Sequence, residues 1–205
     1  MSVLRRVVLV RHAETEGESS VRFHGSTDVP LSAEGRVHMR EVARLLALEA
    51  FDLVAASPLS RAWEAARILV GGAPIRIERD FREIDFGRWE GLTKQEIAAT
   101  DPVLYQEWQD KVPGFDFPRG EPRADFHKRV LRGFERLEQS GATSVLLVAH
   151  KGVVRSIAEK LAGAPLEEGE PELGGLMGFS LGVDGVWRAG RRSSDPAGPR
   201  VDQKR

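Results

Sequence analysis

Apolar residues in this chain gather in short runs that stop abruptly at polar or charged side chains. Residues 7–10 form one such run, closed by Arg11-His12, and residues 144–149 (SVLLVA) form another, closed by His150. Unbroken apolar runs of this length suit strands buried on both faces, as in parallel sheets. A third run, residues 52–56, enters SPLSRAWEAARIL. There Ser57 can cap a helix, Pro58 suits its first turn, and Trp63, Ala66 and Leu69 supply helical spacing. Residues 75–78 give a fourth short strand. MGFSLGV (177–183) and VWRA (186–189), separated by Asp184-Gly185, read as a late hairpin. Helical periodicity runs through 33–50 on Val37, Val42, Leu45 and Leu46, and through 123–140 on Phe126, Val130, Phe134 and Leu137.

Strands that alternate with helices predict an α/β fold, a parallel or mixed sheet covered by helices on both faces. Ligands in such folds sit beyond the carboxyl ends of the strands, at a topological switch point. That rule singles out three residues. His12 and His150 each end a strand, Arg61 begins the helix that follows one, and all three can share a crevice. No internal repeat is present. The segment from 190 to 205 (GRRSSDPAGPRVDQKR) is biased toward Arg, Ser, Pro and Gly and reads as a polar tail. One catalytic domain is therefore expected over 1–190, with a C-terminal tail over 191–205, since 205 residues bury one substantial core.

Composition narrows the function classes. Apolar residues make up 41% and charged residues 30%, as in an ordinary globular protein, and the net charge of −1 gives no general pull toward nucleic acid or anionic lipid. Any anion site must be local. The chain has no cysteine, which rules out disulfides and thiolate metal clusters and suits a reducing cytoplasm. The start lacks a signal peptide's long apolar core, and no segment reaches membrane-spanning length, so a soluble, cytoplasmic protein is expected. Oligomeric state is left open.

Phosphoryl transfer needs a nucleophile, cationic donors for the phosphoryl oxygens and a proton source for the leaving oxygen. The chain can supply each. His12 would attack as a neutral imidazole with its other nitrogen held by an acceptor. Arg11, Arg61 and His150 would hold the oxygens, helped by free N–H groups at the start of the 58–70 helix. Glu83, in REIDFGRWEG, would be the acid. Singly, each residue has an ordinary structural reading: a strand-end histidine usually packs, and a helix-start arginine is usually a surface charge. His38 and His127 lie in helical stretches among charges and are expected to be solvated, and Asp28, Asp85 and Glu90 read as loop acids. A metal site from His12, His24, Asp28 and His150 lacks any helical HExxH or tight ligand spacing, so neither metal nor cofactor is expected.

The order of these elements carries a resemblance. LVRHAET, FHGSTDVPLSAEG, ASPLSRAWEAA, REIDFGRWEG and VAHKGVVR, spanning roughly residues 5–165, together resemble the histidine phosphatase superfamily, also called the phosphoglycerate mutase-like family. The resemblance implies a three-layer α/β/α sandwich around a mixed, mostly parallel six-stranded sheet, and a phosphohistidine intermediate formed without a metal. It places Arg11, His12, Arg61, Glu83 and His150 in the roles that the chemistry assigns. It also brings Thr15, Glu18, His24, Gly25 and Lys151 to the substrate pocket. Four positions depart from the common pattern: Ala13 stands where Gly is usual, Glu18 where many members have Asn, His24 where phosphatases often have Gln, and Lys151 where Gly or Asn is frequent. Lys151 adds a cation that could meet a second anionic group or point to solvent.

The stretch DPVLYQEWQDKVPGFDFPRGEPRADF resembles the phosphatase branch, with Arg119-Gly120-Glu121 as its RGE. A phosphomonoester hydrolase acting on a small phosphorylated metabolite is thus expected. The alternatives are a mutase, which would keep the phosphohistidine dry for a second hydroxyl, and a binding module that has lost catalysis. The leaving group is not fixed by sequence.

Overall fold

A computed structural model describes residues 3–192. The central sheet has six strands: β1 (Arg6–Arg11), β2 (Leu53–Ala56), β3 (Arg76–Ile77), β4 (Ser144–Ala149), β5 (Leu176–Leu181) and β6 (Trp187–Arg192). Their order is β3-β2-β4-β1-β5-β6, with the first four parallel, β5 antiparallel to β1 and β6 antiparallel to β5. The sheet is mixed and mostly parallel, as expected. β6 runs two residues past position 190, and the rest of the segment read as a tail lies outside the described residues.

Two buried layers explain the apolar runs. Val7 and Leu9 of β1 face the layer built on α5 (Arg123–Glu138) and α6 (Lys151–Ala162). Val8 and Val10 face the opposite layer, built on α1 (Ala33–Leu46) and α2 (Ser60–Val70). β4 divides likewise, with Val145 and Leu147 on one face and Leu146 and Val148 on the other. Strands buried on both sides need no polar alternation, and these show none.

Phe126, Val130, Phe134 and Leu137 of α5 are all buried, as their spacing predicts. The α1 reading needs correction. The helix stops at Leu46, and it buries Gly35, Met39, Val42 and Leu46, while Val37 and Leu45 are exposed. Two short helices escaped the periodicity: α3 (Lys94–Thr100) and α4 (Pro102–Gln109). Each carries a start signal that amphipathic spacing does not report, a capping box from Thr93 and Glu96 for α3 and Pro102 at the first turn of α4.

β1 lies beside β4 at the centre, yet the chain leaves β1 toward α1 on one face and leaves β4 toward α6 on the other. This is the topological switch point, and it opens a crevice at the carboxyl ends of β1 and β4.

Candidate active site

His12 and His150 follow the last residues of these two strands. Arg11 and Ala149 are register partners, and the His12 amide donates to the Ala149 carbonyl at 3.0 Å. The two rings therefore meet edge to face, with centroids 5.1 Å apart. Both histidines are buried.

His12 Nδ1 lies 2.7 Å from the Ala13 carbonyl oxygen. A carbonyl can only accept, so Nδ1 carries the proton and Nε2 keeps its lone pair. Burial, followed by the nearby Arg61 and Arg11 charges, holds the imidazole well below its usual pKa. His150 is likewise held neutral, by burial and then by Arg61, His12 and Arg11. Its Nε2 meets Ser57 Oγ at 2.7 Å, and its Nδ1 is buried with no partner among the described residues.

Ser57 was expected to cap α2, and it does not. Its hydroxyl serves His150 and accepts from the Leu59 amide, while the first helical residue, Ser60, donates through both amide (2.7 Å) and hydroxyl (2.8 Å) to Asp28 of a distant loop. A tertiary acceptor has taken over the cap.

Arg61, in the first turn of α2, is 0% exposed. Nη1 donates to the Thr27 carbonyl (2.8 Å) and Nη2 to those of His24 (3.0 Å) and Gly25 (2.7 Å). The loop that offers these carbonyls is pinned by Glu90. That carboxylate accepts from the amides of Gly25 (3.2 Å), Ser26 (2.8 Å), Thr27 (3.2 Å) and Phe86 (3.0 Å), and from the Thr27 hydroxyl (2.6 Å). Glu90 is thus a half-buried anchor rather than a solvated loop acid. Gly25 has no room for a side chain, since a Cβ would lie 2.0 Å from the Ile84 carbonyl.

Arg11 donates from Nη1 to the Pro171 carbonyl at 2.9 Å, and its buried Nε has no partner among the described residues. Burial lowers its pKa to about 10, opposed by Glu83 and Glu14. It therefore stays cationic at neutrality, as does Arg61, whose pKa burial also lowers.

Glu83 is buried beside this cationic group. Oε1 accepts from the Ile84 amide (3.0 Å) and Oε2 from the Gly152 amide (2.9 Å) at the start of α6. Burial raises its pKa, and that effect outweighs the two amides and the Arg61 and Arg11 charges. Its backbone is clamped by Arg129 of α5, which donates to the carbonyls of Asp80, Arg82 and Glu83 and pairs with Glu121 through Nε (2.6 Å) and Nη2 (2.7 Å). Arg129 escaped sequence reading because nothing local marks it, although Glu121 lay in the RGE triplet.

The structure brings Arg11, His12, Arg61, Glu83 and His150 into one electrostatic neighbourhood. Among the remaining expected pocket residues, His24 and Gly25 meet Arg61 through their carbonyls, and Lys151 shares a cleft with Glu83. Thr15 is buried and bonds Ser19 through its hydroxyl at 2.8 Å. Glu18 is exposed, has φ 58° and pairs with Arg22 at 3.4 Å. The His24 ring reaches the Gly17 carbonyl at 2.5 Å, so its backbone rather than its ring meets Arg61. Lys151 is half-buried at the first position of α6. His38 is exposed, whereas His127 is bonded through Nδ1 to Ser156 Oγ at 2.9 Å, so it is not simply solvated.

A cleft of about 310 Å³ opens from Glu83 between α5 and α6, with Lys151 at its edge. A larger hollow of about 600 Å³, between α1 and residues 167–177, contains none of the five residues. Among the described residues no helix is long and apolar enough to cross a membrane, and no three His, Asp or Glu side chains group as a metal site would need.

A three-layer sandwich with a cationic crevice at its switch point, bordered by a buried carboxyl group, defines an α/β enzyme with a pocket for an oxyanion. The chain belongs to the histidine phosphatase superfamily, branch 1, whose family model matches residues 7–174. It is 33% identical over 183 residues to a glucosyl-3-phosphoglycerate phosphatase of Mycolicibacterium vanbaalenii, covering 84% of this chain and 80% of that one. It is 31% identical over 169 residues to the adenosylcobalamin/alpha-ribazole phosphatase of Escherichia coli, covering 79% and 81%. The solved structure of a putative alpha-ribazole-5'-P phosphatase from Escherichia coli superposes with a TM-score of 0.80 at 26% identity, covering 91% of this chain and 95% of that one. The chain is accordingly a hydrolase of the phosphatase class.

Proposed function

We propose that this enzyme hydrolyses the phosphate monoester of a small alcohol through a phosphohistidine on His12. The observation that carries the reading is the fixed tautomer of His12, which leaves the lone pair on Nε2 of an imidazole held neutral by burial and by the nearby Arg61 and Arg11 charges. In the first step Nε2 attacks phosphorus and the bond to the alcohol oxygen breaks. The proton of the Glu83 carboxyl group passes to that oxygen, so a neutral alcohol leaves. Arg11, Arg61 and His150 hold the phosphoryl oxygens as charge builds on them. In the second step the Glu83 carboxylate takes a proton from water, the water oxygen attacks phosphorus, and the bond to Nε2 breaks. Hydrogen phosphate leaves, with His12 neutral and Glu83 protonated as at the start.

The phosphatase names of the relatives support water as the acceptor, rather than the second hydroxyl of a mutase. A chain without cysteine suits work in the cytoplasm. Release of inorganic phosphate from p-nitrophenyl phosphate in excess chelator, with trapping of an acid-labile phosphoenzyme, tests the reading. Both signals are expected in the wild type and neither in His12→Ala. A variant that keeps a tenth of the wild-type turnover, or a wild type without a labile phosphoenzyme, overturns it.

A further inference from the structure

The proposed reaction fixes where the alcohol must lie. Its oxygen has to reach the Glu83 carboxyl group, and the cleft that starts at Glu83 is the space on that side of the crevice. Aromatic rings line it: Phe86, Trp108, Phe117 and Phe126. Phe86 and Phe117 pack edge to face at 4.7 Å, and both Phe117 and Trp108 contact the buried Trp89, so the shape is set before any ligand enters. Such walls favour an apolar body over a bare sugar or glycerol chain.

The charges in the cleft are not balanced. Glu159 is paired with Nη2 of Arg155 at 2.8 Å, and the same Nη2 and Nη1 also donate to the carbonyls of Leu166, Glu167 and Glu170. That pair is used up in holding the loop after α6. Lys151, half-buried in the same cleft, has no hydrogen bond or ion pair among the described residues. After burial, the largest influences on it are the cations Arg11, Arg155 and Lys94, ahead of Glu168, which is tied to Lys111 at 3.1 Å. Arg123 adds another cation to the lining, and Lys94 lies over the Trp108 ring at 5.6 Å. A partly desolvated ammonium among like charges is costly unless a ligand brings the opposite charge.

We propose that the leaving alcohol carries a second anionic group, a carboxylate or a phosphate, separated from the ester oxygen by an apolar segment, and that Lys151 receives it. This rests on the phosphatase reading and adds the substrate class to it. The apolar segment lies against Phe86, Phe117 and Phe126 while the far anion meets the ammonium of Lys151, so the residue selects among esters without touching the reacting phosphoryl group.

The test compares kcat/KM at low salt for 2-phenylethyl phosphate, its 4-carboxy derivative and its 4-phosphono derivative, whose leaving oxygens are alike. In the wild type the anionic esters should exceed the neutral one by roughly tenfold, the scale of one hydrogen bond to a charged group. The larger preference names the group. In Lys151→Gln the ratio should fall close to one, in Lys151→Arg it should persist, and in Arg40→Gln, a charge-matched change on the exposed face of α1, it should stay at the wild-type value. A wild-type ratio near one, or a ratio that survives in Lys151→Gln, overturns the proposal while phosphate release still supports the phosphatase. Failure of the wild type to release phosphate from all three esters overturns the phosphatase reading, and the inference with it.

Discussion

The amide of Gly152 donates to Oε2 of Glu83 at 2.9 Å across 69 residues of sequence, joining the first turn of α6 to the carboxyl group at the head of the cleft. The contact works only because position 152 has no side chain. A Cβ there would lie 2.5 Å from Glu83 Oε1 and 3.0 Å from Phe126 Cζ. Gly152→Ala is therefore expected to push the carboxyl group off the leaving oxygen. Turnover of an alkyl phosphate should fall at least tenfold more than that of p-nitrophenyl phosphate, whose leaving group needs little protonation. Equal losses in steady-state assays would show that the carboxyl group does not act on the leaving oxygen.

Glu83 itself should set the alkaline side of the pH profile. Its carboxyl group must be protonated to act first, and burial raises its pKa, so kcat/KM on an alkyl phosphate should decline as pH rises through that raised value. The neutral form of His12 persists on the acid side because its pKa is depressed. In Glu83→Gln the alkyl ester should react about 10²–10⁴ times more slowly, the range of general acid catalysis, and the alkaline decline should vanish. A profile with the same decline in the variant would assign it to another group.

Glu90 acts at one remove, through the loop whose carbonyls hold Arg61. Glu90→Ala leaves four amides and a hydroxyl without their acceptor and should cost about 2–3 kcal/mol of stability together with more than tenfold of kcat/KM. Glu90→Gln keeps one acceptor oxygen and should recover part of both. Calorimetry and steady-state rates on the pair check this, and an alanine variant with wild-type kinetics would separate the loop from the function of Arg61.

Neutral buried histidines also leave a mark on stability. His150 stays unprotonated in the fold, whereas the unfolded chain takes up its proton near pH 6.5. Its contribution is present above that pH and is lost as pH falls, by about 1.4 kcal/mol per unit. Glu83, with a raised pKa, has the opposite sign: its contribution is present below its unfolded value and is lost as pH rises. Comparing the wild type with His150→Asn isolates one histidine. Between pH 7.5 and 5.5 the variant should lose about 1.4 kcal/mol less in denaturant titrations, and parallel curves would mean that His150 titrates alike in both states.

Much of this arrangement was legible because the rule for α/β sheets converts position into meaning. A histidine at the end of a buried run has little choice but to stand at the crevice, and His12 and His150 did so. The supports were hidden for a physical reason: their partners lie far along the chain. Glu90 reaches back 65 residues to Gly25, Asp28 reaches 32 residues to cap α2, and Arg129 reaches 46 residues to the Glu83 carbonyl. Ser57 shows the limit of local reasoning most directly. A serine before a proline and a helix reads as a cap, yet it stands at a strand end just as the histidines do, and that placement gave it to His150.

The carbonyl cage around Arg61 has a consequence for how the chain completes its folding. The guanidinium is enclosed by residues 24–27, which are fastened by Glu90, and it sits on a helix fastened by Asp28, so three separate segments must close before the charge has its place. No subset of the sheet can assemble an oxyanion pocket early. A folding intermediate should therefore be blind to inorganic phosphate, and protection of the chain by phosphate would mark the moment at which its last segments lock together.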